Sequence, residues 1–175
     1  ILLLYACLRW SLPSRFGRDI LLALFLLYWI HPLPGNVFGG IYSSTRQAIK
    51  RAAVVEGKTL YIYPEQYEGQ ECDPLIFCTG PTPAQQLDTL IPWLMQKTGA
   101  KKFYLPSADY IWPHVMNKKV RQLVTAKGGT IAGEEYHPLD HMEYAETVKK
   151  IMSSGTEVVF NTIVPPGVVP FFQQL

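Results

Sequence analysis

The chain has 175 residues, 48% of them hydrophobic and 17% charged, with a formal net charge of +2 at pH 7. That length carries one domain or parts of two. Near-neutral charge with scattered basic residues excludes nucleic acid and an anionic membrane surface as implied partners, and Cys7, Cys72 and Cys78, with four separated histidines, make no zinc pattern.

Residues 1–35 differ from the rest. Ile1–Leu8 is apolar, "RWSLPSRFGR" interrupts it, and Ile20–Ile30 is apolar again. Neither run has the roughly 20 residues that span a bilayer. The second run reads as the h-region of a secretory signal, a buried core helix, or an aberrant start to the sequence. No small-x-small cleavage site follows it, only "HPLPG". No function is rested on this segment.

From Asn36 the pattern is regular. "NVFGG" predicts a short strand ending in glycines. Ser43, Ser44 or Thr45 can cap a helix running to about Glu56, with Ile49, Ala52 and Ala53 inward and Gly57 as its stop. "TLYIY" and "LIFCT" predict strands. Cys72 and Cys78 sit too far apart on an extended chain to bridge. Pro81 and Pro83 open a helix with Leu87, Leu90, Ile91 and Leu94 on one stripe, kinked at Pro92 and ended by Gly99. "KKFYL" is the next strand. Pro113 suits the first turn of a helix burying Met116, Val120, Leu123 and Val124, stopped by Gly128–Gly129. "TIAGEEY" is a strand; Tyr144, Val148, Ile151 and Met152 mark a helix. "EVVFN" is the last strand, and "PPGVVPFFQQL" opens a further helix. Strands alternating with helices predict an α/β fold with parallel sheets flanked by helices.

In such sheets ligands bind beyond the carboxyl ends of the strands. The turns there hold Ser43, Ser44, Thr45, Tyr63, Glu65, Gln66, Tyr67, Asp109, Tyr110, Trp112, Asn161 and Thr162. They are rich in hydroxyls, amides and rings and nearly free of Lys and Arg. Neither GxGxxG nor GxxxxGK[ST] occurs, so nucleotide binding is not expected. A small neutral or zwitterionic solute fits better. Hydroxyls at the helix start can meet a carbonyl or carboxylate, and Glu65, Asp109 or tyrosine oxygens can meet N–H groups. Tyr110 and Trp112 can close over an apolar part. Each feature has a plainer reading: a cap for Ser43–Thr45, packing for the two rings, solvated loop acids for Glu65 and Glu68. His137 and His141 in "HPLDH" read as a surface loop rather than a metal pair, His114 as a surface residue, and Cys78 as an inert thiol.

The ordered set "VFGGIYSSTRQAI", "YPEQYEGQECDP", "TGPTPAQQ", "SADYIWPHVMN", "GGTIAGEEYHPLDH" and "EVVFNTIVPPG" resembles the type I periplasmic-binding-protein family. The nearest branch is the urea and short-chain-amide group, related to branched-chain amino-acid receptors. The resemblance covers about Asn36 to Leu175 and implies part of a two-lobe fold that closes on its solute like a flytrap. It divides the chain into an atypical segment 1–35, part of lobe one at 36–79 and the first part of lobe two at 80–175, with a hinge near Thr79–Pro83. It implies ligand contacts from Ser43 to Thr45, Tyr63 to Gln66, Tyr110, Trp112 and the Asn161–Ile163 turn. Glu65 departs from the small or hydroxyl residue that relatives often carry.

The implied function is an extracytoplasmic solute receptor of an ABC importer for urea, short-chain amides or branched-chain amino acids, with a membrane permease as partner. An alternative is a cytoplasmic amide sensor controlling amidase expression. A third is an α/β enzyme, which requires a nucleophile, a base and an orienting group together, or a cofactor fingerprint. No catalytic residue, metal ligand or cofactor is expected.

Overall fold

A computed structural model describes residues 35–175. The apolar runs Ile1–Leu8 and Ile20–Ile30 lie outside the described residues. In chain order the elements are β1 (Val37–Phe38), α1 (Ser43–Ile49, running on as a π-helical segment over Lys50–Glu56), β2 (Tyr61–Tyr63), β3 (Ile76–Cys78), α2 (Pro83–Thr98), β4 (Lys102–Ala108), α3 (Ile111–Ala126), β5 (Thr130–His137), α4 (Ala145–Ser153), β6 (Val158–Val159) and α5 (Val168–Gln174).

The strands form two sheets, ordered β1-β2-β3 and β5-β4-β6, and every pairing is parallel. The α/β class with parallel, helix-flanked sheets is as expected. Parallel neighbours need a crossover. Between β2 and β3 that crossover is a loop, residues 64–75, rather than a helix. It starts where β2 ends and carries the acidic "YEGQE" stretch.

Period-2 alternation along β4 sorts the core of the second sheet. Phe103 and Leu105 face α2 and α3, packing with Leu87, Ile91, Met95, Trp112, Met116, Val120 and Val124. Tyr104 points to the other face, among Tyr144, Ile151, Ile163 and Phe171. Each such fully buried side chain contributes about 1.5–3 kcal/mol of transfer free energy. Under the first sheet, Val54 packs on Tyr61, Tyr63 and Ile76.

Several sequence expectations shift. The buried stripe of α2 is Leu87, Ile91 and Met95, an i, i+4, i+8 row, while Leu90 is exposed. The helix continues through Pro92. Ala52 is exposed and Val54 takes the inward place, because the wider π winding turns the later residues out of α-helical phase. Met152 is exposed; Thr147 and Ile151 carry the inner face of α4. β4 runs past Leu105 to Ala108: Pro106 has no N–H to give, but its carbonyl accepts from Thr162 N–H at 3.0 Å, so pairing goes on. β6 keeps only two residues of "EVVFN" in the ladder. Cys72 and Cys78 are free thiols.

Candidate functional site

A cleft of about 300 Å³ opens where the turns of the two sheets meet. From the first sheet, Ile41, Tyr42 and Ser43 after β1 and Glu65 and Gln66 after β2 line it. From the second come Tyr110 and Trp112 at the start of α3 and Val164–Pro165 beyond β6. All four strand-end turns singled out in the sequence therefore reach one hollow.

The turn after β1 is fixed from below. Tyr61 Oη donates to Gly39 O at 2.9 Å and Tyr63 Oη to Ile41 O at 2.8 Å. Gly40 sits at φ +94°, and a Cβ there would lie 2.9 Å from Tyr61 Oη, so only glycine fits. Burial pushes the Tyr61 hydroxyl up to about 12, reinforced by Tyr63, so it stays a donor at neutral pH. The turn after β2 is held by close backbone packing. A Cβ on Gly80 would stand 2.2 Å from Glu65 O. Gln86 Nε2 also donates to Gln66 Oε1 at 3.3 Å.

The aromatic wall joins the two sheets. Tyr42 meets Tyr110 edge to face at 5.4 Å and 83°, and Tyr110 stacks on Trp112 at 6.4 Å and 27°. Both arrangements suit the ring quadrupoles. Burial raises the Tyr110 hydroxyl far above its ordinary range, and Tyr42 and Tyr63 add to it. Trp112 is buried, and its indole N–H is sealed from solvent without a hydrogen-bond partner.

Behind the cleft lies an ion network that the sequence reading missed. Arg46 is 3% exposed. Its Nη2 donates to Glu68 Oε2 at 2.7 Å and its Nε to Glu71 Oε1 at 3.0 Å. Lys50 Nζ completes the pair with Glu71, and Ser43 Oγ donates to Glu68. The guanidinium lies over the rings of Tyr63, at 5.2 Å, and Tyr67, at 5.8 Å. Burial alone would lower the Arg46 pKa; hydrogen bonds and charge from Glu68 and Glu71 outweigh it, and the net shift is upward. Burial likewise pushes Glu71 up, but Lys50 and Arg46 pull it below the usual carboxylate range. Glu68 is thus no solvated loop acid. Ser43 does not cap its helix: the N-cap is Tyr42, without a side-chain cap bond, because the Ser43 hydroxyl is spent on Glu68.

Of the sequence-picked residues, Ser43, Glu65, Gln66, Tyr110 and Trp112 line the cleft. Tyr63 lies beneath it as a fully buried prop. Ser44 and Thr45 are exposed, on the side of α1 away from Ser43 and Arg46. Asn161 Oδ1 accepts from Ile163 N–H at 2.8 Å and shapes its turn, while Thr162 is buried against Ser107. The lining falls instead to Val164 and Pro165. Tyr42 and Arg46 were legible only weakly: Ser43, Arg46 and Lys50 share one helix face by i, i+3 and i, i+4 spacing, opposite an acidic loop.

Outside the cleft, His114 Nε2 lies 2.8 Å from Asp109 Oδ1 and its ring stacks on Tyr136 at 3.8 Å. His137 and His141 stack at 4.7 Å. Among the described residues no group of three or more His, Cys, Asp or Glu side chains is placed to hold a metal. Burial pushes the Cys78 thiol up, away from a reactive thiolate.

A model of the periplasmic binding protein domain matches residues 35–175. The chain belongs to the periplasmic binding protein family. Solved structures share the fold. A periplasmic binding protein from Burkholderia mallei is 22% identical with a TM-score of 0.65, over 88% of this chain and 42% of that one. A branched-chain amino acid ABC transporter periplasmic ligand-binding protein from Burkholderia xenovorans LB400 is 20% identical with a TM-score of 0.66, over 89% of this chain and 42% of that one. An ABC-transporter solute-binding protein from Rhodopseudomonas palustris BisB5, in complex with 3,4-dihydroxybenzoic acid, is 21% identical with a TM-score of 0.66, over 85% and 40%. This binding-protein chain spans about two-fifths of the length of the solved structures it resembles.

Proposed function

We propose that the protein is the extracytoplasmic solute-binding component of an ABC importer, taking a small nitrogen-bearing polar solute of the urea, short-chain amide or amino-acid kind. The observation that carries this reading is the shared cleft. Turns far apart in sequence bring the Tyr42 ring from one sheet and the Tyr110 and Trp112 rings from the other around one hollow of about 300 Å³. That volume is at the small end of ligand pockets.

On this reading the two sheets mark two lobes, residues 36–79 and 80–175, joined near Thr79–Pro83. Closure buries the solute and presents a shape to a membrane permease. No bond is made or broken. The family membership and the transport proteins among its structural relatives support this role, and the motif set resembling the urea and amide branch supports the solute class.

Calorimetric titration of the full-length protein tests it, with a panel of urea, acetamide, leucine and small nitrogenous cations. Saturable heat with at least one member, reduced by Tyr110→Ala, is expected. No saturable binding to any member overturns the reading.

A further inference from the structure

The charges around the cleft do not balance. Arg46 and Lys50 supply two positive charges, and Glu68 and Glu71 supply two negative ones that bond them directly. That set sums to zero. The lining includes one charged residue, the exposed Glu65, and no Lys, Arg or His. Among the described residues Glu65 makes no side-chain hydrogen bond and no ion pair. A guest carboxylate would meet this acid, and no lining residue among those described carries a positive charge to offset the repulsion.

The walls next to Glu65 suit positive charge as well. Tyr42, Tyr110 and Trp112 line the hollow, and aromatic rings attract cations. Planar, weakly hydrated cations stack on ring faces better than a compact ammonium does. A carboxylate takes the parallel N–H groups of an amidinium or guanidinium in a two-point bond.

We infer that the cleft selects a compact planar nitrogen cation, of the amidinium or guanidinium class, bound by Glu65 in two hydrogen bonds and packed against the aromatic wall of Tyr42, Tyr110 and Trp112. This rests on the solute-receptor reading above and narrows its ligand. The neutral counterparts urea and acetamide have nearly the same size and shape. They lack the charge that meets Glu65, so shape alone does not separate them from the cations.

The test uses that likeness. The full-length wild-type protein is titrated separately with millimolar guanidinium chloride, acetamidinium chloride, urea and acetamide. Each cation is expected to bind at least about tenfold tighter than its neutral counterpart, and Glu65→Gln is expected to erase most of that ratio. Urea and acetamide binding as tightly as the cations, or tighter, overturns the inference and leaves the receptor reading standing. A ratio that survives Glu65→Gln overturns the assignment to Glu65. Binding of none of the four, with none of the wider panel, overturns both. Wild-type protein alone decides the ranking, whatever the variant's stability.

Discussion

Arg46 shows how a residue can shape a cleft without lining it. It anchors the acidic loop to α1 through Glu68 and Glu71 and lies over Tyr63 and Tyr67. Arg46→Ala leaves the largely buried Glu68 without its cation and Glu71 with Lys50 alone. We expect a loss of about 3–5 kcal/mol in chemical denaturation. The same network sets a pH dependence. The folded-state pKa of Glu71 is depressed, so its contribution is fully present above the unfolded carboxylate range and is lost as pH falls through the lower folded value. Stability should drop in that acidic window, and Glu71→Gln should flatten the drop in denaturation curves measured across it. In the cleft, Tyr110 is half-buried, so its ring can be removed with less damage to the core than Trp112. Tyr110→Ala should weaken solute binding by about tenfold or more, and Tyr110→Phe, which keeps the ring, by under about threefold. Calorimetric affinities of the two variants separate ring from hydroxyl.

At the scale of elements, strand and helix order was legible because apolar periodicity and Gly/Pro punctuation agree along most of the chain. Thr82 with Gln85 forms a capping box at the start of α2, and Gly99 ends it at φ +74°. Thr82→Ala should cost about 1 kcal/mol, read from the denaturation midpoint. Where the reading slipped, tertiary packing overrode local pattern. Leu90 belongs to the helical stripe by spacing, yet the facing surface of α3 and β4 selects the i+4 row ending at Met95. The π winding after Ile49 has no sequence signature, so Ala52 was misplaced. Pro106 looked like a strand end, and only the neighbouring Thr162 N–H shows why it is not. The acidic crossover loop was legible as a loop. Its partners on α1 were not, since nothing local tells a paired Glu68 from a solvated one. Gly80 belongs here too: it lets the segment after β3 press on the Glu65 backbone. Gly80→Ala should displace that turn, lowering stability by about 1–3 kcal/mol and weakening solute binding together with it.

For the whole molecule, the position of the cleft follows from topology. Parallel strands send their turns to a common edge, and two such edges face each other across Tyr42 and Tyr110. That edge was readable from the sequence, as were Ser43, Glu65, Gln66, Tyr110 and Trp112 on it; the residues given by its last turn were not. Val164 and Pro165, rather than Asn161 and Thr162, reach the hollow, because the Asn161 side chain is turned back onto the Ile163 backbone and Thr162 is drawn into the sheet. A guest held by both sheets stabilises the folded state by mass action. At a hundredfold excess over its dissociation constant it should add about 2.7 kcal/mol to unfolding, visible as a rise in Tm. The most direct measurement is a crystal structure of the full-length protein grown with a saturating solute from the panel. Solute density in the cleft against the Tyr42, Tyr110 and Trp112 wall, within hydrogen-bond reach of Glu65, is the expected result. Solute density elsewhere, with this cleft empty, would contradict it.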